Sequence, residues 1–285
     1  MKGASQRTPA DIIPLVDCHG TSEVGRRRKS NEDDFLMAAL PMGRDLRLNE
    51  DPSGKHLVPS PGQTGFLFLV ADGIGEAPCG ERASSMAVNS LHRYLKEESR
   101  VLKKGRLEVS RTLIRGAGRC QSDLQAEIER RPECEGMGTT LTGILSLARR
   151  LYVIHSGDSR CYLLRGSTLS LITDDHSQAQ LEIDAGTVDR EAARTSRGGN
   201  SLWKYLASDY SRRRPDVGSM PLEPGDVFLL CTDGISDAVP DENLKRHLSN
   251  RASAESICRS LIADARDGGG GDDLTAIVAR FGAPA

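Results

Sequence analysis

Residues 65–70 read Gly-Phe-Leu-Phe-Leu-Val, an unbroken apolar run of strand formers. A strand with one wet face alternates apolar and polar residues; a strand without that alternation has to be covered on both faces. The chain must therefore supply a layer on each side of this segment. Two amphipathic helices follow it. Ala83, Met86, Ala87, Leu91, Tyr94 and Leu95 recur at helical spacing, as do Leu107, Leu113, Ile114, Ala117, Leu124 and Ile128 until Pro132 stops the pattern.

Further strands are expected at residues 12–18, 34–40, 140–147, 151–155, 160–164, 169–172, 227–231 and 274–281, with a helix at 254–265. Residues 41–65, rich in Pro, Gly and charge, read as a long loop or extended hairpin, and residues 175–208 as a polar, mostly helical excursion. Helices grouped between runs of strands, rather than alternating with them, point to stacked sheets covered by helices. No repeat or linker divides the chain. The expected layout is a flexible arm over residues 1–10 and one catalytic-sized domain over residues 11–283.

Charge and composition narrow the function classes. Lys and Arg number 38 against 40 Asp and Glu, a net charge of −2, which offers no general attraction to nucleic acid or an anionic membrane. The short basic run Arg26 to Lys29 is read as a solvated or phosphate-facing loop. No segment approaches the roughly 18–20 apolar residues that span a bilayer, and the first residues are polar, so a cytoplasmic monomer is expected. The seven cysteines are odd in number and none sit at metal-knuckle or redox-motif spacing, so they are expected to be reduced and mostly buried.

The chemistry is carried by acids at strand ends. Asp72 follows the 65–70 run, Asp233 follows residues 227–231, and Asp158 follows the expected strand at 151–155. Glu32 and Asp33 precede the strand at 34–40, and Asp272 with Asp273 opens the last one. Strand ends bring such stations together, and clustered carboxylates repel one another unless cations occupy the cluster. Oxygen-only donors select hard ions such as Mn²⁺ or Mg²⁺ over Zn²⁺. Gly73 and Gly234 directly after their acids allow a tight turn that presents a carbonyl.

In order along the chain, Arg28-Lys29-Ser30-Asn31-Glu32-Asp33, then Val70-Ala71-Asp72-Gly73-Ile74-Gly75 with Gly80-Glu81-Arg82-Ala83-Ser84, resemble the first motifs of the protein phosphatase 2C (PPM) family in its bacterial form. Gly136-Met137-Gly138-Thr139-Thr140, Gly157-Asp158-Ser159-Arg160, Thr173-Asp174-Asp175-His176-Ser177, Thr232-Asp233-Gly234-Ile235-Ser236-Asp237 and Gly271-Asp272-Asp273-Leu274-Thr275 resemble the rest, also in order. The resemblance implies an α+β fold in four layers, α/β/β/α, with a central antiparallel β-sandwich. It implies a protein serine/threonine phosphatase in which a metal-bridging hydroxide attacks phosphorus. Two core Mn²⁺ or Mg²⁺ ions would be held by Glu32, bridging Asp72, the Gly73 carbonyl, Asp233 and Asp272. Asp33 would act through metal-bound water, Asp158 and Asp237 with Asp233 would hold a weaker third ion, and Arg28 would grip the phosphate. The partners implied are phosphorylated substrates of a serine/threonine kinase. Other readings are a catalytically weak member that binds phosphoproteins or a kinase, and a monoesterase acting on small phosphate esters.

The sequence departs from the family pattern in places. Ile74 stands where animal members have a proposed acid histidine, and Glu76 and Ala77 replace the Gly and His of bacterial ones. Asp273 replaces the usual Asn, where it either adds a ligand or only negative charge. Residues 189–211 and Arg212-Arg213-Arg214 diverge from the usual flap. His176 is expected to fix a loop or helix start, His155 to pack within its strand, Thr139 and Thr140 to be sheet residues, and Gly268 to Gly271 to form a flexible turn.

Overall fold

In the computed structural model, which describes residues 16–40, 65–74, 79–147, 149–188, 201–208 and 214–282, the apolar run lies in strand β3 (Gly65–Asp72). Its alternate side chains go to two different cores. Phe66, Phe68 and Val70 point into one with Phe228, Leu230, Ile277 and Phe281, while Leu67, Leu69 and Ala71 point into another with Ala83, Ala87, Leu91, Leu113 and Ala117. Fully burying each of the larger of these side chains stabilises the fold by ~1.5–3 kcal/mol. That is why the segment carries no polar residue on either face.

The first core lies between two five-stranded antiparallel sheets. One is ordered β1-β12-β11-β7-β8, from β1 (Val16–Glu23), β7 (Arg160–Arg165), β8 (Thr168–Leu171), β11 (Val227–Cys231) and β12 (Leu274–Phe281). The other is ordered β10-β6-β5-β3-β2, from β2 (Asp33–Leu40), β3, β5 (Leu141–Leu147), β6 (Arg150–Ser156) and β10 (Asp216–Pro221). The two-residue strands β4 (Gly138–Thr139) and β9 (Leu206–Ala207) pair separately. Helices α1 (Gly80–Glu97) and α2 (Arg106–Arg130) cover the β3 sheet. On the other side, α5 (Asp241–Leu248) and α6 (Ala254–Asp267) cover Leu229, Cys231, Ala276 and Val278. Short helices α3 (Gln178–Asp184) and α4 (Asp233–Ser236) lie in the connections. The layering is α/β/β/α, as expected.

Several local expectations change. The first strand runs Val16–Glu23 rather than 12–18, because the backbone of β12 supplies its ladder and a half-polar sequence suffices; residues 12–15 lie outside the described set. Strand β10, with Gly218 and a terminal Pro221, was hidden by its polar pattern and sits at a sheet edge, where such residues are tolerated. The arm at 1–10, the loop at 41–64 and most of 189–213 also lie outside the described residues. No helix among the described residues is long and apolar enough to cross a membrane.

The cysteine expectation is corrected. Cys79 and Cys134 form a disulfide, with Cα atoms 5.4 Å apart, while Cys18, Cys120, Cys161, Cys231 and Cys258 are buried thiols outside any disulfide. A sequence separation of 55 gave no spacing signal. The antiparallel hairpin of α1 and α2 brings the start of the first helix beside the segment that follows the second.

Candidate active site

The acidic stations meet at one end of the sandwich, and both sheets contribute. Asp33 and Asp72 are direct cross-strand partners at the end of the β2–β3 ladder. Asp158 lies in the turn from β6 to β7, which joins the two sheets, Asp233 opens α4 after β11, and Asp272 stands just before β12. The carboxyls of Asp72, Asp158 and Asp233 are all driven above the ordinary value of 3.8, first by burial and then by the charge of neighbouring acids: Asp33 and Asp233 on Asp72, Asp233 and Asp175 on Asp158, and Asp237 and Asp272 on Asp233. Asp33 is shifted upward for the same first reason, and Glu32 also rises through burial.

Asp72 is the most tightly held. Its N–H donates to Thr140 Oγ1 at 2.9 Å, and its carbonyl accepts from Thr140 N and Thr139 Oγ1, both at 2.8 Å. Thr140 Oγ1 in turn lies 2.6 Å from Ser159 Oγ, next to Asp158. Thr139 is a sheet residue, as expected, whereas Thr140 stands between β4 and β5 rather than within a strand; the hydroxyls of both fix the acid, a role that their β propensity concealed. Gly73 is required sterically. A Cβ there would fall 2.2 Å from the Gly80 carbonyl oxygen, where α1 begins.

Arg28 Nε donates to Asp272 Oδ1 at 2.7 Å and its Nη1 to Glu32 Oε2 at 3.2 Å. These bonds raise the guanidinium pKa, with Asp272 the largest cause, so Arg28 stays charged. Asp273 is occupied differently from its neighbour. Its Oδ1 accepts from Gly25 N and its Oδ2 from Glu32 N, each at 2.8 Å, which latches the Arg26–Asn31 loop onto β12. Gly270 and Gly271 accept from the N–H groups of Arg26 and Arg27, so the glycine turn is a docking surface for that loop.

Asp33 Oδ2 accepts from Thr232 Oγ1 at 2.8 Å, whereas Asp33 Oδ1 and Asp233 Oδ1 are buried without a hydrogen-bond partner. A buried, unpartnered carboxylate oxygen is costly unless a cation or water satisfies it. Two of them within an oxygen-only cluster fit hard divalent ions. Among the described residues no three His, Cys, Asp or Glu side chains already stand ready to hold an ion, and Glu32 and Asp272 are turned onto Arg28. Asp237 is exposed at the end of α4, its N–H bonded to the Asp233 carbonyl.

Beside Asp158, His176 is buried and both ring nitrogens are engaged: Nδ1 accepts from Gly157 N at 3.0 Å, and Nε2 lies 2.8 Å from Asp216 Oδ2. The expectation of a loop-fixing histidine holds. His155 is packed in β6, bonded to Thr142 Oγ1 at 2.8 Å, with burial holding its pKa down to about 3. Asp216 and Lys204 had no signal in the sequence. Ile74 donates its N–H to Gly138 and offers no titratable group; Gly75, Glu76 and Ala77 lie outside the described residues.

The family model for protein phosphatase 2C matches residues 51–267. The serine/threonine protein phosphatase PstP of Mycobacterium tuberculosis is 36% identical over 213 residues, 75% of this chain and 40% of that protein, so the chain spans well under half of that relative. The serine/threonine phosphatase stp of Listeria welshimeri is 31% identical over 213 residues, 74% of this chain and 83% of that protein. A solved structure of the catalytic domain of PstP in complex with two manganese ions superposes with a TM-score of 0.72 at 30% identity, covering 94% of this chain and 99% of that one. With the ordered motifs meeting at one end of an α/β/β/α sandwich, these likenesses show that the chain belongs to the protein phosphatase 2C family.

Proposed function

We propose that this chain is a metal-dependent protein serine/threonine phosphatase, acting on phosphoserine and phosphothreonine. The observation that carries the reading is the meeting of Glu32, Asp33, Asp72, Asp158, Asp233 and Asp272 around unpartnered buried oxygens, with Arg28 at the rim. Glu32, Asp72, the Gly73 carbonyl, Asp233 and Asp272 would hold two Mn²⁺ or Mg²⁺ ions, and Asp158 and Asp237 with Asp233 a weaker third. When bound, such ions supply Lewis acidity to phosphoryl oxygens and make coordinated water acidic.

The chain's own groups do the positioning. Arg28 keeps its charge, and a guanidinium matches two phosphate oxygens where an ammonium would match one. Asp33, fixed through Oδ2 by Thr232, presents Oδ1 as an acceptor that orients a water proton. His176 cannot donate a proton to the leaving serine oxygen, because its one N–H is committed to Asp216 and its other nitrogen to Gly157. Ile74 supplies none either, so the leaving-group proton has to come from water or from another group of the site. The reading brings with it substrates made by a serine/threonine kinase, a monomeric state and a cytosolic location. The Cys79–Cys134 bridge is a check on the last, since a reducing compartment keeps thiols reduced.

Hydrolysis of a phosphothreonine peptide and of p-nitrophenyl phosphate, each with Mn²⁺ and with EDTA, tests this. Metal-dependent turnover of the peptide, abolished by Asp72→Asn, is expected. Turnover of the small ester alone would favour a monoesterase. Turnover of neither, with the peptide still bound, would favour a binding member, a reading motivated by Ile74 in place of an acid.

A further inference from the structure

The turn that carries Asp158 is held from two sides. On one side, Gly157 has φ +115° and a Cβ there would lie 2.6 Å from Thr140 Cβ, so the turn is pressed directly onto the residue that fixes Asp72. On the other side, His176 makes a reciprocal pair with the same glycine. The His176 backbone N–H donates to the Gly157 carbonyl at 2.8 Å, and the Gly157 N–H donates to the ring Nδ1 of His176 at 3.0 Å. Because Nδ1 accepts, the ring proton of the neutral imidazole is on Nε2, and it is donated to Asp216 Oδ2 at 2.8 Å. The other carboxylate oxygen of Asp216 accepts from Lys204 Nζ at 2.6 Å, and Lys204 is itself 7% exposed.

Lys204 belongs to residues 201–207, a strap that runs between the two acid-bearing turns. At one end, Trp203 N donates to the His176 carbonyl, and its ring meets the imidazole edge-on at 5.1 Å. At the other, Leu206 and Ala207 pair with Thr139 and Gly138, and the Thr139 hydroxyl donates to the Asp72 carbonyl. His155 stacks on the far face of His176 at 4.5 Å and closes off rotation of the ring. One imidazole thus touches the turn of Asp158, the carboxylate that anchors Lys204, and the strap that ends on the holder of Asp72.

We propose that His176 is a positioning residue for the reaction: held as its Nε2–H tautomer by Asp216 and Lys204, it sets Asp158 relative to Asp72 and ties both to the strap. The inference rests on the phosphatase reading for its chemistry, but its geometry does not depend on turnover. Groups that orient metal ligands change metal affinity or activity by about 10–100-fold when removed.

Three variants test it: His176→Ala, His176→Asn and Asp216→Ala. An Asn Oδ1 stands close to where Nδ1 stands and can accept from Gly157 N, but it cannot reach Asp216. Mn²⁺ binding measured by calorimetry on folded protein, beside kcat and KM for p-nitrophenyl phosphate, gives readouts with and without turnover. In His176→Ala, Mn²⁺ affinity and kcat should each fall by about tenfold with KM changing less than about threefold, and His176→Asn, which keeps the Gly157 bond and loses that to Asp216, should recover part of both losses. A folded His176→Ala that binds Mn²⁺ as the wild type does would overturn the proposal, as would a His176→Asn as impaired as the alanine variant. If His176→Ala does not fold, Asp216→Ala decides, since the Asp216 side chain is 65% exposed and not part of the core; an unchanged Mn²⁺ isotherm and kcat in that variant would also overturn it. A wild-type protein that binds Mn²⁺ and hydrolyses no phosphate ester would instead sink the phosphatase reading while leaving the calorimetric comparison of the variants intact.

Discussion

Thr232 Oγ1 donates to Asp33 Oδ2 at 2.8 Å, and this bond joins the two sheets at the acid end of the sandwich. The same hydroxyl accepts from Thr275 N at 3.2 Å. Thr232→Val keeps the shape and removes both bonds, leaving the Asp33 carboxylate with no hydrogen bond from this residue and a buried N–H without its acceptor. The expected cost is about 1–3 kcal/mol in the presence of EDTA, read from urea denaturation, with a smaller cost when Mn²⁺ is present. Equal stability of the two proteins in EDTA would show that the bond is not a structural tie.

The acid cluster fixes the direction of pH dependence in metal-free protein. Asp33 is pushed up to about 8 and Asp233 to about 7, from 3.8 in the unfolded chain. Below 3.8 both states hold these protons and the stability is fully present. As pH rises the unfolded chain releases them first, so stability is lost progressively until the folded-state values near 7 and 8 are passed. In EDTA the melting temperature should therefore fall by about 5 °C or more between pH 5 and pH 8. Mn²⁺ favours the ionised carboxylates, so it should flatten or reverse that slope. A thermal melt that rises with pH in EDTA would contradict the burial of these acids.

Gly73→Ala introduces one methyl group at a crowded point of the site. Its Cβ would lie 2.2 Å from the Gly80 carbonyl oxygen, which is backbone and cannot rotate away. Either α1 shifts outward or Asp72 moves, and the second change reaches the chemistry. The expected result is a loss of kcat of about a hundredfold, on the scale of a roughly 1 Å misplacement of a catalytic group. The circular dichroism spectrum should stay close to that of the wild type.

Arg28→Ala separates binding from chemistry. The guanidinium makes no contact with Asp33 or Asp72 in the hydrogen bonds of the site; its partners are Asp272 and Glu32. KM for a phosphopeptide should rise by about tenfold or more, the worth of a charge-assisted hydrogen bond. kcat should change less. A drop in kcat at constant KM would place Arg28 with the reacting groups instead.

Much of this was legible before any coordinates. The uninterrupted apolar run at residues 65–70 demanded cover on both faces, and β3 has a separate core on each. Acids directly before or after apolar strands were bound to gather wherever strand ends gather. Other parts had no signal because they depend on contacts distant in the chain. Asp216 sits in an exposed edge strand of mixed pattern, and only its bond to His176, 40 positions away, gives it a role. In sequence, Asp273 reads as either an added ligand or only negative charge, but both of its oxygens are taken by backbone N–H groups nearly 250 residues earlier. Thr232 is in sequence only the first residue of the Thr232–Asp237 motif, and its bond to Asp33 exists only once the second sheet is stacked on the first. Cys79 and Cys134 were unremarkable until two helices folded back to back.

That bridge encloses α1 and α2 between its two cysteines. A protease that cut once anywhere in that stretch would release no fragment under non-reducing conditions, and the product would migrate as an intact chain on a gel. Adding a thiol would split it into two pieces, each carrying acids that the other needs. Limited proteolysis run in parallel with and without reductant should therefore give two different band patterns from the same digest.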